Sequence, residues 1–387
     1  MRKDLGIYLH IPFCVRKCRY CDFLSFSSGE EEQEQYVKKL VQEIRSFPQK
    51  EKWRVTTIFF GGGTPSILKG EQISLLLKVI RTEFFVERDA EVSIECNPGT
   101  VDMEKLCAYR ETGVNRISFG LQSSEEKELK LLGRIHTYEM FLKSYEMTRK
   151  CGFQNINVDL MSALPGQTPQ SWRRTLQRVL SLQPEHISAY SLIIEEGTPF
   201  YDLYEEDRKL REAGKECHIL PSEEAERQMY YDTKKIMEEH GYFRYEISNY
   251  SKPGYECRHN MAYWERKNYA GFGLGAAALM ENVRFTNTSD FQQYMKGKFE
   301  HDREALDEAA QMEEFLFLGL RMMKGVSTEQ FFLQFGVTME SVYGSVLERL
   351  TEQKLIEEKM IEHNGKIYRL SDFGIDVSNY VLAQFLF

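Results

Sequence analysis

The chain has 387 residues, 42% of them hydrophobic, which is enough for one large core and leaves length for a second, smaller domain. Its formal net charge of -9 argues against a general binder of phosphate backbones, whose affinity rests on clustered Lys and Arg. Met1 to Gly6 shows no basic region, long apolar stretch and cleavage site in succession, and no apolar run reaches the roughly 20 residues of a membrane helix. A soluble, cytoplasmic protein is expected, with peripheral membrane contact left open.

In chain order, β-branched and aromatic runs alternate with amphipathic stretches. Strands are predicted at Gly6 to Ile11, Val55 to Phe60, Glu91 to Cys96, Asn115 to Phe119, Asn155 to Leu160 and His186 to Leu192. Helices are predicted between them at Glu34 to Ser46, Gln72 to Glu83 and Thr137 to Lys150, and the acidic run Glu30 to Glu34 suits a helix start. Crossovers of this length join parallel strands, so the fold class is α/β, an incomplete (β/α)6 barrel whose chemistry sits at the C-terminal ends of its strands.

From Pro221 the pattern changes to a charged helix, Ser222 to His240, and then to an aromatic, glycine-rich stretch, Tyr242 to Thr288, that reads as irregular strands. Helices follow at Glu313 to Met323, Thr328 to Phe335 and Met339 to Gln353, with a hairpin, Ile361 to Leu370, turning near Asn364-Gly365. The expected division is 1–220, 221–306 and 307–387, the last an α+β, winged-helix-like domain. Glu348 to Glu362 mixes both charges instead of presenting a basic face, so nucleic acid is not the expected partner.

Three of the eight cysteines, Cys14, Cys18 and Cys21, form C-x3-C-x2-C. One short loop with this spacing can hold three corners of a 4Fe-4S cubane and leave the fourth iron open. A structural zinc would require a fourth protein ligand, for which His10 is the nearest candidate. Cys96, Cys107, Cys151, Cys217 and Cys257 are scattered and read as small interior hydrophobes. Gly61-Gly62-Gly63-Thr64-Pro65 follows the second strand, where bare glycines allow a ligand close to the backbone.

Tyr8-Leu9-His10-Ile11-Pro12-Phe13-Cys14, continuing through Cys18-Arg19-Tyr20-Cys21-Asp22-Phe23, resembles the signature of HemN-type radical S-adenosylmethionine (SAM) proteins. The resemblance extends over Asn157 to Met161, Leu164 to Thr168 and Glu314 to Arg321. It implies a cluster held by Cys14, Cys18 and Cys21, whose open iron chelates SAM and whose electron releases a 5'-deoxyadenosyl radical. By the same resemblance Tyr8, Gly62, Gly63, Thr64, Glu95, Gln122, Arg134 and Asp159 match SAM-holding positions. Chemically, Glu95 and Asp159 accept hydrogen bonds from amino or hydroxyl groups and Arg134 offers a fork to a carboxylate, while the plainer readings are strand-end caps and a surface ion pair.

Two departures select a subgroup. Coproporphyrinogen oxidases of this type carry a further cysteine where this chain has Phe23, and an extension ahead of Tyr8, which only seven residues precede here. His259-Asn260-Met261-Ala262-Tyr263-Trp264 is instead similar to the HNxxYW motif of HemW-like proteins. That resemblance implies a heme chaperone that binds heme and delivers it to hemoproteins, with a homodimer as a family expectation. Neutral imidazole is a good axial ligand, so His259 is the candidate for heme iron, with Cys257 beside it as the alternative. The competing function is a radical SAM enzyme acting on a tetrapyrrole, such as an oxygen-independent coproporphyrinogen III oxidase.

Overall fold

A computed structural model describes residues 2–361 and 365–386. Six strands, β1 (Lys3–Ile11), β2 (Trp53–Gly62), β3 (Phe85–Cys96), β4 (Arg116–Gln122), β5 (Ile156–Ser162) and β6 (His186–Ser191), pair side by side in chain order, all parallel. Leu5, Ile7, Leu9 and Ile11 alternate along one face of β1 and are fully buried in the core shared with Tyr36, Leu40 and Ile44. Helices cover the outside. In Pro169–Leu180, Thr168 and Ser171 form a capping box at the start, and Trp172, Leu176 and Val179 make up the buried stripe. The indole of Trp172 donates to Thr233 Oγ1 at 2.8 Å, tying this helix to Glu223–Glu239.

The expected stretch of irregular strands belongs to the same sheet. It supplies β7 (Phe243–Arg244), β8 (Asn249–Ser251), β9 (Tyr269–Phe272), β10 (Ala277–Met280) and β11 (Val283–Asn287), to which β12 (Glu300–Ala305) is added. The full order is β12-β11-β10-β9-β1-β2-β3-β4-β5-β6-β8-β7, an open sheet of 12 strands. The six parallel strands therefore form an unclosed barrel, as expected, but β9 extends it in parallel beside β1 and β8 flanks β6 in antiparallel fashion. These flanks were hard to see because they are two to six residues long and interrupted by turns.

The C-terminal part packs helices Glu308–Gly319, Thr328–Phe335 and Met339–Glu352 with a three-stranded antiparallel sheet of β13 (Val326–Ser327), β14 (Ile356–Ile361) and β15 (Gly365–Leu370). Leu316, Phe331, Leu347 and Tyr368 share a separate core there. The hairpin begins at Ile356, earlier than expected, because Glu357, Glu358 and Lys359 are exposed and carry no apolar alternation. Asn364, half of the expected turn, lies outside the described residues. Among the described residues no helix is long and apolar enough to cross a membrane.

Candidate functional site

Past the end of β1 the chain forms a loop whose neck is fixed by Cys14 N to Phe26 O and Phe26 N to Pro12 O, both 2.9 Å. The Phe13 ring anchors it, edge-on to Phe26 and Tyr36. Farther along, Arg19 N donates to Leu132 O at 3.0 Å, which ties the loop to the segment leading to Arg134. All eight cysteines are free thiols, and Cys14, Cys18 and Cys21 line one cavity of ≈ 320 Å³ at the C-terminal ends of β2 to β6.

The glycines explain how β2 approaches this loop. A Cβ on Gly63 would lie 2.7 Å from Phe13 O and 3.0 Å from Cys14 Sγ, and one on Gly62 would lie 2.7 Å from the His10 imidazole. Gly62 also has φ +113, a conformation that side chains disfavour. The space left by the missing side chains is thus taken partly by the cysteine loop itself. Gly62 N donates to Glu95 Oε2 at 3.2 Å, and Thr64 Oγ1 accepts from Asn97 Nδ2 at 2.7 Å while standing 3.4 Å from Cys14 Sγ.

Arg134 is half-buried at the cavity wall, not a surface ion pair. Its Nη2 donates to Asn97 Oδ1 at 2.6 Å and to Gly120 O, its Nη1 faces Cys18 Sγ at 3.6 Å, and its buried Nε has no hydrogen-bond partner among the described residues. Gln122 adopts φ 72 and accepts from Tyr190 Oη at 2.9 Å, a strained backbone of the kind that concentrates at functional sites. Asp159 accepts from Asn157 Nδ2 at 2.7 Å and Ser118 Oγ at 3.3 Å.

Two carboxyls lining the cavity, Glu95 and Asp159, shape the electrostatics. Burial, reinforced by the charge of Asp159, pushes Glu95 up to about 8, and burial raises Asp159 as well. The folded state therefore favours neutral Glu95, so the stability this preference lends is complete below about 4.5, the ordinary carboxyl value, and is lost as pH rises through about 8. Glu95→Gln, neutral throughout, is expected to raise the melting temperature of ligand-free protein clearly at pH 8 and little at pH 5. Equal shifts at the two pH values would contradict this placement of Glu95.

These residues suit a cluster with a cationic and carboxylate-bearing ligand. Three free thiols stand on one wall; on the others the Glu95 and Asp159 carboxyls, which feel the charge of Arg116, offer acceptors and Arg134 carries an unpaired N–H. Among the described residues no three His, Cys, Asp or Glu side chains close on a single ion, and a cluster has no such requirement because each iron takes its own thiolate.

Ten of the twelve expected site residues meet in this cavity; Tyr8 and His259 do not line it. The Tyr8 hydroxyl contacts His10 Nδ1 at 3.1 Å, and its ring packs on Phe59. His259 is buried, with Nδ1 2.8 Å from Thr57 Oγ1, Nε2 2.8 Å from Tyr263 Oη, and its ring stacked on Phe59. Burial, with the Arg116 charge adding to it, lowers His259 to about 3, so the ring is neutral, but both nitrogens are already engaged. Cys257 is fully buried with its thiol 3.5 Å from Glu91 Oε1. Sequence reasoning missed Asn97, Tyr190 and Asn260 as lining residues; Asn97 sits just past β3, a strand end already under suspicion, and Asn260 stands inside the HNxxYW-like motif.

A second cavity, ≈ 630 Å³, lies between the motif helix Arg258–Trp264 and the C-terminal helices. Trp264, Phe315, Met322 and Leu333 give it apolar walls, and Arg266, Lys267 and Lys324 give it cations. Trp264 Nε1 and Arg266 Nη2 are buried there without partners among the described residues. Lys267 and Lys324 share the Glu265 carboxylate.

The open β/α barrel with its cysteine loop and glycine-rich strand end defines a radical SAM protein: the model of the Radical SAM superfamily matches residues 8–179, and that of the HemN C-terminal domain residues 306–377. Over its full length the chain is 36% identical to heme chaperone HemW of Lactococcus lactis, covering 100% of this chain and 98% of that protein. It is 38% identical to HemW of Bacillus subtilis over 95% of this chain and 97% of that protein, and 32% identical to HemW of Escherichia coli over 94% and 96%. The chain belongs to the HemW family. Its fold is also that of coproporphyrinogen III oxidase HemN from Escherichia coli, described as a radical SAM enzyme, with a TM-score of 0.82 at 23% identity over 99% of this chain and 90% of that one.

Proposed function

We propose that this chain binds heme and delivers it to hemoproteins, and that it holds a 4Fe-4S cluster and SAM in the cysteine-lined cavity. Cys14, Cys18 and Cys21 are the cluster ligands in this reading. Gly62, Gly63 and Thr64 present backbone to SAM, Glu95 and Asp159 face its amino and hydroxyl groups, and Arg134 pairs with its carboxylate, with Gln122 and Tyr8 supporting the walls. The cluster, when reduced, supplies an electron to the SAM sulfonium. The protein's part is to orient these groups and exclude water around them.

The observation that carries heme as cargo is the second cavity, whose size falls within the usual range for ligand sites. Heme is a flat apolar ring with two carboxylates. Trp264, Phe315 and Leu333 offer surfaces for the ring, and Arg266, Lys267 and Lys324 offer donors to the carboxylates. The motif helix reaches both cavities: Asn260 lines the first and Trp264 the second. As the iron ligand, His259, which lines neither cavity, would have to give up its bond to Tyr263 and turn Nε2 toward the cargo through a shift of the motif helix.

Anaerobic hemin titration followed by absorbance tests both parts. Lys267→Glu with Lys324→Glu is expected to weaken binding by about 100-fold, the loss of two charge-assisted contacts at about tenfold each. His259→Ala should weaken the iron spectrum, and Tyr263→Phe, which frees Nε2, should strengthen it. Absence of hemin binding by the unaltered protein would refute the carrier role, and spectra unchanged in both motif variants would eliminate His259 as the ligand.

A further inference from the structure

Cys107 lies in helix Met103–Thr112, which follows β3, and Cys151 caps the C-terminal end of helix Tyr138–Lys150, which precedes β5. Contrary to the reading of both as interior hydrophobes, each is partly exposed on the outer helical layer. Their Sγ atoms are 2.8 Å apart, closer than sulfur atoms of unrelated side chains approach. The sulfur of Met103 lies 4.0 Å from Cys151 Sγ, and Met103 O lies 3.7 Å from it. Neither thiol lines the cysteine cavity, so neither is occupied by the proposed cluster.

We propose that Cys107 and Cys151 form a modification site, at which a peroxide converts the two thiols to a disulfide and a small-molecule thiol restores them. The geometry supplies what this chemistry needs: the sulfurs must shorten their separation only to the bond length of about 2.05 Å, and solvent reaches both. Burial, then the hydrogen bond and charge of Cys107, push the Cys151 thiol up to about 12, which suits Cys151 to the resolving step. The Cys107 thiolate attacks the O–O bond, forming S–OH, and the departing hydroxide takes up a proton and leaves as water. Cys151 then attacks the sulfenic sulfur, the S–S bond forms, and the displaced hydroxide leaves with the Cys151 proton as a second water. Two electrons pass from the thiols to the peroxide, and two equivalents of thiol return them.

The bridge would join positions 44 residues apart. That segment contains β4, Gln122 and Arg134, which form one wall of the cysteine cavity. Oxidation therefore ties down this wall when an oxidant threatens the cluster, without using the cluster thiols.

The test is stoichiometric hydrogen peroxide on the full-length protein, cluster-loaded and cluster-free, followed by alkylation of remaining thiols and peptide mass mapping. The expected product is a Cys107–Cys151 cross-linked peptide pair that has lost two hydrogens and is reversed by dithiothreitol. The melting temperature of the oxidised protein should rise by about 5 °C. Cys107→Ser and Cys151→Ser should melt like the reduced parent and show no rise after peroxide. Full alkylation of both residues after peroxide, at the rate of Cys217, would overturn the proposal, as would cross-links that pair either residue with a different cysteine.

Discussion

Cys18→Ala protein is expected to purify folded but with its cluster iron and sulfide lost, and to show no SAM-dependent change in paramagnetic resonance after reconstitution. The thiol of Cys18 faces the cavity and the Arg134 guanidinium, and no other cysteine stands ready to replace it. Cys96 is the nearest alternative by cavity lining, but it is buried, and burial raises its thiol to about 12. Loss of a partner in the outer shell of a metal site costs 10- to 100-fold in affinity, so loss of a direct thiolate ligand should exceed about 100-fold. Cys14→Ala and Cys21→Ala should behave alike. Cys217→Ser is the control, since its thiol lies apart from the cavity and donates to Asp207 O at 3.4 Å. Full iron and sulfide content in any of the three variants would remove that residue from the ligand set.

The cavity was legible because its residues occupy positions with strong local constraints. Cysteine spacing, a triple glycine after a strand, and acids at strand ends each point to the same rim, and the β-branched and aromatic runs of β1 to β6 locate that rim. The flanks of the sheet were not legible as such. Strands as short as β7 and β8 bury too few side chains for a period to show, and the pairing of β8 with β6 depends on residues more than 50 positions away. The motif was legible as a motif, but its orientation was not. HNxxYW marks a seven-residue helix, but the partners that orient it, Thr57 and Glu91, come from β2 and β3, so no local pattern could reveal that His259 points into the interior while Asn260 and Trp264 reach separate cavities.

Glu91→Ala should be the most destabilising single change at the junction between barrel and motif, by about 3–5 kcal/mol, the range for breaking a buried ionic network on one side. Glu91 is 5% exposed and accepts from Arg258 N at 2.9 Å, from His259 N at 3.1 Å and from the Cys257 thiol at 3.5 Å. It thereby satisfies the otherwise unpaired N–H groups that open the motif helix. It also balances Arg116, which is 2% exposed. Burial works against the Arg116 charge, and Cys257, Glu91, Tyr245 and Asp159 together outweigh it, holding the guanidinium protonated. Alanine would leave both the helix start and the guanidinium uncompensated. Glutamine keeps the volume but turns an NH2 toward one of the donors and removes the charge, so Glu91→Gln should recover less than half of the loss. Chemical denaturation of the cluster-free protein measures both effects, and hemin titration at low temperature, where the variant stays folded, should show weakened binding because Trp264 loses its fixed position. A Glu91→Ala protein as stable as its parent would mean that the motif helix is held in place by its apolar contacts alone.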